Sequence, residues 1–141
     1  RLQWATSYFY PAAAICAHVT AAGREPLKYK MDVAMSGKLG FDIVVQKLNN
    51  SELQLAQTTV KNYHRLQSII NYGALYRLVS PYATNFASLM YVDSSKSKAV
   101  VFAYNMKGIQ QDTWPRWSFA GLDPGKNYRI TEINLTANSK A

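Results

Sequence analysis

The strongest constraint in this sequence is a change of period at Gly73. Before it, Leu53, Ala56, Val60, Tyr63, Leu66, Ile69 and Ile70 recur at three- and four-residue spacing, which puts them on one face of a helix. Lys61, Asn62, Arg65 and Gln67 fall largely on the other face. Asn50 or Ser51 can cap the start by accepting backbone N–H bonds, and Glu52 suits the first turn. The pattern predicts a helix over Ser51–Tyr72, closed by Gly73 in the left-handed conformation that glycine adopts cheaply. After Gly73 the period is two. Leu75–Val79, Ser88–Val92, Ala99–Tyr104, Arg116–Leu122 and Tyr128–Leu135 are rich in β-branched and aromatic residues and read as strands. Asp93–Lys98 is a polar loop between two of them, and Asp123-Pro-Gly-Lys126 is a turn in which Pro124 presets φ and Gly125 takes a positive one. Short strands with tight turns predict an antiparallel sheet, a small sandwich.

The segment before the helix differs. Ala12–Thr20 and Tyr29–Met35 are short apolar runs that read as two fully buried strands, joined by a connection containing Gly23 and Pro26. Such strands suit a parallel sheet covered on both faces. Two of them cannot satisfy their own edges, so this half is expected to be incomplete alone.

Composition narrows the function classes. With 141 residues, 48% of them hydrophobic, the chain has one domain's length and ample material for a core, which excludes a disordered chain. A single cysteine, Cys16, excludes a disulfide scaffold. No run approaches about eighteen apolar residues, so no membrane partner is expected. Sixteen Lys and Arg against eight Asp and Glu leave a charge of +8. The basic residues are strewn along the chain, with Lys28/Lys30 and Lys96/Lys98 as close pairs, and there is no phosphate-cradling glycine loop or zinc-finger pattern. Nucleic acid is therefore not the expected partner. The chain opens at Arg1 directly into an aromatic stretch, Trp4, Tyr8, Phe9 and Tyr10, which reads like the inside of a longer protein.

Residue chemistry alone yields no active site. Cys16 and His18 point to one face of a strand, but a metal site needs further ligands and a nucleophile–base pair needs an orienting third group. His64 reads as a partly exposed position on the helix. Asp32 and Asp42 are the carboxylates among buried-looking segments, ten positions apart, and paired carboxylates are the equipment of glycoside hydrolysis. Both read more simply as solvent-facing or capping groups. Trp114 and Trp117 flank Pro115 and could present rings to a sugar, though aromatics of a sheet are more often core. Asn49-Asn-Ser51 and Asn134-Leu-Thr136 match the glycosylation acceptor pattern. A non-catalytic carbohydrate-binding or interaction module, with the sheet aromatics holding a sugar, is the alternative to an enzyme at this point.

Four blocks in order carry a resemblance. Arg1-Leu-Gln-Trp-Ala-Thr-Ser-Tyr-Phe-Tyr-Pro11, followed by Ala12–Ala17 and His18-Val-Thr20, is one. Asp32-Val-Ala-Met-Ser-Gly-Lys-Leu-Gly-Phe-Asp42, Gly73-Ala-Leu-Tyr-Arg-Leu-Val-Ser-Pro81 and Leu122-Asp-Pro-Gly-Lys-Asn-Tyr-Arg129 are the others. Together they resemble the C-terminal portion of glycoside hydrolase family 36, the α-galactosidases or melibiases. Ala5 stands where the family usually has Gly, Cys16 replaces the Gly before Ala-His, and Lys30 sits near a usual Arg.

The resemblance implies an α+β fragment: residues 1–73 as the end of a (β/α)8 barrel, with strands seven and eight and the eighth helix, and residues 74–141 as a C-terminal antiparallel β-sandwich-like domain. It implies a retaining enzyme that removes terminal α-linked galactose from oligosaccharides. The family's nucleophile lies in a K-W/Y-D motif and its acid/base in an S-D-x-T-D motif. Neither occurs here, so the chain is expected to start just past the acid/base and to be inactive alone, with no catalytic residue of its own. His18 is the residue expected at the pocket rim. No cofactor or metal is implied. The implied partners are a galactose-containing oligosaccharide and the remainder of the barrel; self-association and the compartment, bacterial cytoplasm or periplasm or exterior, stay open.

Overall fold

The computed structural model describes residues 1–106 and 115–133. It is a mixed α and β structure. A short helix α1 (Leu2–Thr6) and a single 3-10 turn (Ala12–Ala14) lead into strand β1 (Cys16–Thr20), helix α2 (Leu27–Ala34) and strand β2 (Lys38–Asp42). Another 3-10 turn (Val45–Lys47) precedes the long helix α3 (Asn50–Tyr72). Strands β3 (Ala74–Val79), β4 (Phe86–Val92) and β5 (Ala99–Asn105) follow. Among the described residues no helix is long and apolar enough to cross a membrane.

The long helix forms as its period predicts and starts one position earlier. Asn49, not Asn50 or Ser51, is the cap: its Oδ1 accepts from the Glu52 backbone N–H at 3.0 Å while Glu52 Oε2 accepts from the Asn49 N–H at 2.9 Å. This reciprocal capping box satisfies two donors that a helix start leaves unpaired. Gly73 ends the helix but in extended backbone, φ −72° and ψ 160°, because the chain turns straight into β3. The apolar face is deeper than its spacing suggests. Thr59 is fully buried, and its hydroxyl donates to Met31 Sδ at 3.6 Å.

The run Tyr29–Met35 is not a strand. It lies almost wholly within α2, whose buried residues Met31 and Ala34 stand three apart, and Lys28 reaches Asp32 one turn on at 2.6 Å. Pro26 at its start has no N–H to lose. The second strand of the expected parallel pair is β2, immediately downstream. It runs parallel to β1 in the register Cys16↔Lys38, His18↔Gly40, Thr20↔Asp42. Of the Ala12–Thr20 run, only the last five residues are strand.

β3, β4 and β5 form an antiparallel meander, with a register shift between Arg77 and Val79. β4 is central and buried at every position. Leu89, Tyr91, Val100 and Phe102 join Trp4, Met35, Tyr63, Ile69 and Ile70 in the main core, so α3 lies on this sheet and also meets β1–β2 through Leu55 and Ala56. Two tyrosines stitch the sheet to the α2 region: Tyr91 donates to the Ser36 carbonyl at 2.8 Å and Tyr104 to the Asp32 carbonyl at 2.9 Å. Arg116–Leu122 and residues 128–133 are not strands, while 134 and 135 lie outside the described residues. Among the described residues the antiparallel sheet is thus three-stranded. The 123–126 turn closes with Lys126 N–H on the Asp123 carbonyl at 3.1 Å; Gly125 is not at positive φ, and the Asp123 carboxylate holds its N–H at 2.9 Å instead.

Candidate functional site

Alternation along β1 sorts its residues between two faces. Ala17 and Val19 are buried against Met31 and Ala34 of α2, with Leu39 and Phe41 of β2 beside them. Cys16, His18 and Thr20 point the other way and are exposed. Because β2 is parallel and in register, Lys38, Gly40 and Asp42 share that outer face. The result is three layers, Cys16 with Lys38, His18 with Gly40, and Thr20 with Asp42, the last at the C-terminal end of both strands.

The middle layer needs glycine. The His18 ring lies against Gly40, where a Cβ would come within 2.5 Å of His18 Cδ2 and 2.9 Å of Nε2. An imidazole, a hydroxyl and a carboxylate therefore stand together at one end of the pair. Such groups can donate to and accept from the hydroxyls of a polyhydroxylated ligand.

The carboxylates do not form a pair. Asp42 stands on the open face, whereas Asp32 is ion-paired with Lys28 on the helix that covers the opposite face. Cys16 is a free, exposed thiol two residues from His18. His64 lies elsewhere, exposed on α3 at the edge of an apolar groove formed with Phe41, Val45, Leu48 and Val60. Trp117 is half-buried, and Trp114 lies outside the described residues, as does Asn134-Leu-Thr136. The Asn49 side chain is engaged as the α3 cap and also accepts from Ser51 Oγ at 2.6 Å. Among the described residues, no three His, Cys, Asp or Glu gather as a metal site would require.

Sequence reasoning singled out His18 but left Asp42 and Thr20 without a place. The alternation along β1 puts Thr20 on the face of His18, but Asp42 joins them only through the parallel register of β2, which a second strand at Tyr29–Met35 does not provide.

Comparison with known proteins agrees over nearly the whole chain. The family model described as Melibiase matches residues 1–73, and that of the glycosyl hydrolase family 36 C-terminal domain matches residues 86–140. The chain is 32% identical over 141 residues to alpha-galactosidase AgaA of Geobacillus stearothermophilus, covering 96% of this chain and 19% of AgaA. It is 32% identical over 140 residues to alpha-galactosidase Mel36A of Lactobacillus acidophilus, covering 95% and 19%. The crystal structure of AgaA superposes with a TM-score of 0.81 at 31% identity, over 86% of this chain and 18% of AgaA. An AgaA variant in complex with 1-deoxygalactonojirimycin gives 0.83, over 88% and 18%. The chain thus spans about a fifth of the length of the curated relatives that it matches.

Proposed function

The chain belongs to glycoside hydrolase family 36, the melibiases, and from that premise we propose that it is the C-terminal part of a retaining α-galactosidase. The observation that carries this is the agreement with α-galactosidase AgaA along 96% of the chain in sequence and 86% in three dimensions, while only 18–19% of that enzyme is represented.

The roles divide near Gly73. Residues 1–73 supply the last βα units of a (β/α)8 barrel and residues 74–141 the C-terminal β domain. Two features support that division. Among the described residues the parallel β1–β2 pair has one unpaired edge on each strand, as a segment of a closed barrel would. Its outer face carries Cys16, His18, Thr20, Lys38 and Asp42 in the open, as a barrel interior awaiting its other strands would. In such barrels the active site gathers at the C-terminal ends of the strands. That end holds Thr20 and Asp42, with His18 one layer below; this position supports the reading of His18 as a residue of the sugar pocket's rim.

Retaining hydrolysis proceeds through a covalent glycosyl intermediate and requires two carboxyl groups about 5–5.5 Å apart, one as nucleophile and one as acid/base. The family's motifs for both are absent from the 141 residues. Asp32 and Asp42 face opposite sides of the sheet and cannot substitute for them. In this reading the pair comes from the remainder of the barrel, and the chain contributes part of the pocket wall and the β domain that braces it. The substrate is an oligosaccharide with a terminal α-linked galactose; variants of AgaA have been crystallised with raffinose and with stachyose.

The purified chain is expected to leave an aryl α-galactoside unhydrolysed and to show no saturable change in tryptophan fluorescence with galactose. Turnover that co-purifies with the chain overturns the assignment of the catalytic pair to other segments. Saturable galactose binding favours a self-contained sugar-binding module instead.

A further inference from the structure

The two strands of the parallel pair differ at their open edges. Lys38 N–H donates to the Ile15 carbonyl at 2.8 Å, and in a parallel ladder alternate residues turn their backbone groups to the same neighbour. Lys38, Gly40 and Asp42 therefore bond to β1. The N–H and C=O groups of Leu39 and Phe41 point outward, where among the described residues no strand meets them. Such an edge is a template for another strand. The β1 edge is partly capped, because the Lys30 ammonium donates to the Thr20 carbonyl at 3.3 Å.

The β2 sequence, Lys38-Leu-Gly-Phe-Asp42, complements its own reverse about Gly40. Antiparallel pairing of two copies about that residue sets Leu39 opposite Phe41 of the copy. Both carry outward backbone groups, so each such pair exchanges both its N–H···O bonds. Lys38 then stands opposite Asp42 of the copy on the exposed outer face, in a non-hydrogen-bonded pair, where side chains lie closest. A two-fold axis at Gly40 repeats both pairs, as a closed dimer requires. The inner face is apolar: Phe41 lines, with Val45, Leu48, Ala56 and Val60, a groove of about 580 Å3, and Val44 just past β2 is 55% exposed. We propose that the β2 edge docks a second copy of this chain, ion-paired through Lys38 and Asp42 on one face and joined through Leu39 and Phe41 on the other. This dimer does not rest on the glycosidase reading. Barrel closure would compete with it, because a neighbouring barrel strand takes the same edge.

Sedimentation equilibrium of the chain is expected to show a reversible dimer. Lys38→Asp leaves acid facing acid across the axis, and Asp42→Lys leaves base facing base. Each variant alone is expected to raise the dimer Kd roughly tenfold or more, since like charges directly opposite on paired strands repel. An equimolar mixture of the two variants restores both ion pairs and should form a mixed dimer near the wild-type Kd. Both positions are exposed, so both variants should fold. Should either fail, amide exchange of the wild type decides: Leu39 and Phe41 must slow as chain concentration rises, while Gly40, already bonded to β1, stays constant. A dimer indifferent to the charge reversals, a mixture no tighter than its components, or Leu39 and Phe41 exchange independent of concentration overturns the proposal. A chain that stays monomeric overturns it too, and leaves the edge to a strand of other origin.

Discussion

The Arg77 guanidinium lies over the Tyr8 ring, 3.9 Å from its centroid, and so fastens β3 to the segment that follows α1. Its Nε donates to Ser7 Oγ at 3.0 Å and its Nη2 to the Ser7 carbonyl. Ser7 Oγ in turn donates to the Trp4 carbonyl at 2.7 Å, and Trp4 is part of the main core. One planar fork therefore ties together residues 70 positions apart.

Arg77→Ala is expected to destabilise the chain by about 2–3 kcal/mol, the range for charge-assisted bonds lost at a partly buried site. Arg77→Lys should recover less than half, since an ammonium reproduces neither the fork nor the stacked plane. Urea unfolding followed by tryptophan fluorescence measures both. Equal stability of the lysine variant and the wild type would show that charge alone matters at this joint.

The two tyrosines that bridge the sheet to the α2 region set the alkaline limit of stability. Burial pushes the Tyr91 phenol up to about 12, an effect partly offset by the nearby Arg77 charge. Burial, reinforced by the Asp32 charge, holds Tyr104 well above the ordinary value. A phenol with a raised folded-state pKa stays protonated in the folded chain when the unfolded chain has begun to lose the proton. Stability from these groups is thus intact below about pH 10 and declines above it, by about 1.4 kcal/mol per pH unit for each tyrosine until its folded pKa is reached. Denaturant midpoints between pH 9 and pH 12 should show that fall, with a shallower slope in Tyr91→Phe and Tyr104→Phe.

Gly40→Ala tests the layer beneath the candidate pocket. The new methyl group would stand where the His18 ring lies, so the ring must swing away while the strand pairing survives. The expected result is a folded chain whose His18 ring resonances in the proton–nitrogen correlation spectrum shift, with His64 unmoved. Unshifted His18 resonances would mean that the ring does not rest on Gly40.

The elements that could be read from sequence are those in which pattern and burial coincide. α3 repeats its apolar residues over many turns, and β3, β4 and β5 are short β-branched and aromatic runs bounded by turns and polar loops, so their types followed directly. α2 failed because Tyr29–Met35 is a short apolar run, for which helix and strand period cannot be told apart. Its helical signals were local: Pro26 at the start, Lys28 four residues before Asp32, and Met31 three before Ala34. That error displaced β2 and with it the site. Asp42 shares a layer with Thr20 only through the parallel register, a non-local fact that no spacing along the chain encodes.

A chimera of AgaA, with its matched C-terminal fifth replaced by this chain, tests the central claim most directly. The quantity to measure is kcat/KM for an aryl α-galactoside, in the chimera and in its His18→Ala form. The account predicts α-galactosidase turnover in the chimera and a loss of roughly tenfold or more in kcat/KM on removing the His18 side chain. A folded chimera without turnover, or one indifferent to His18→Ala, would contradict it.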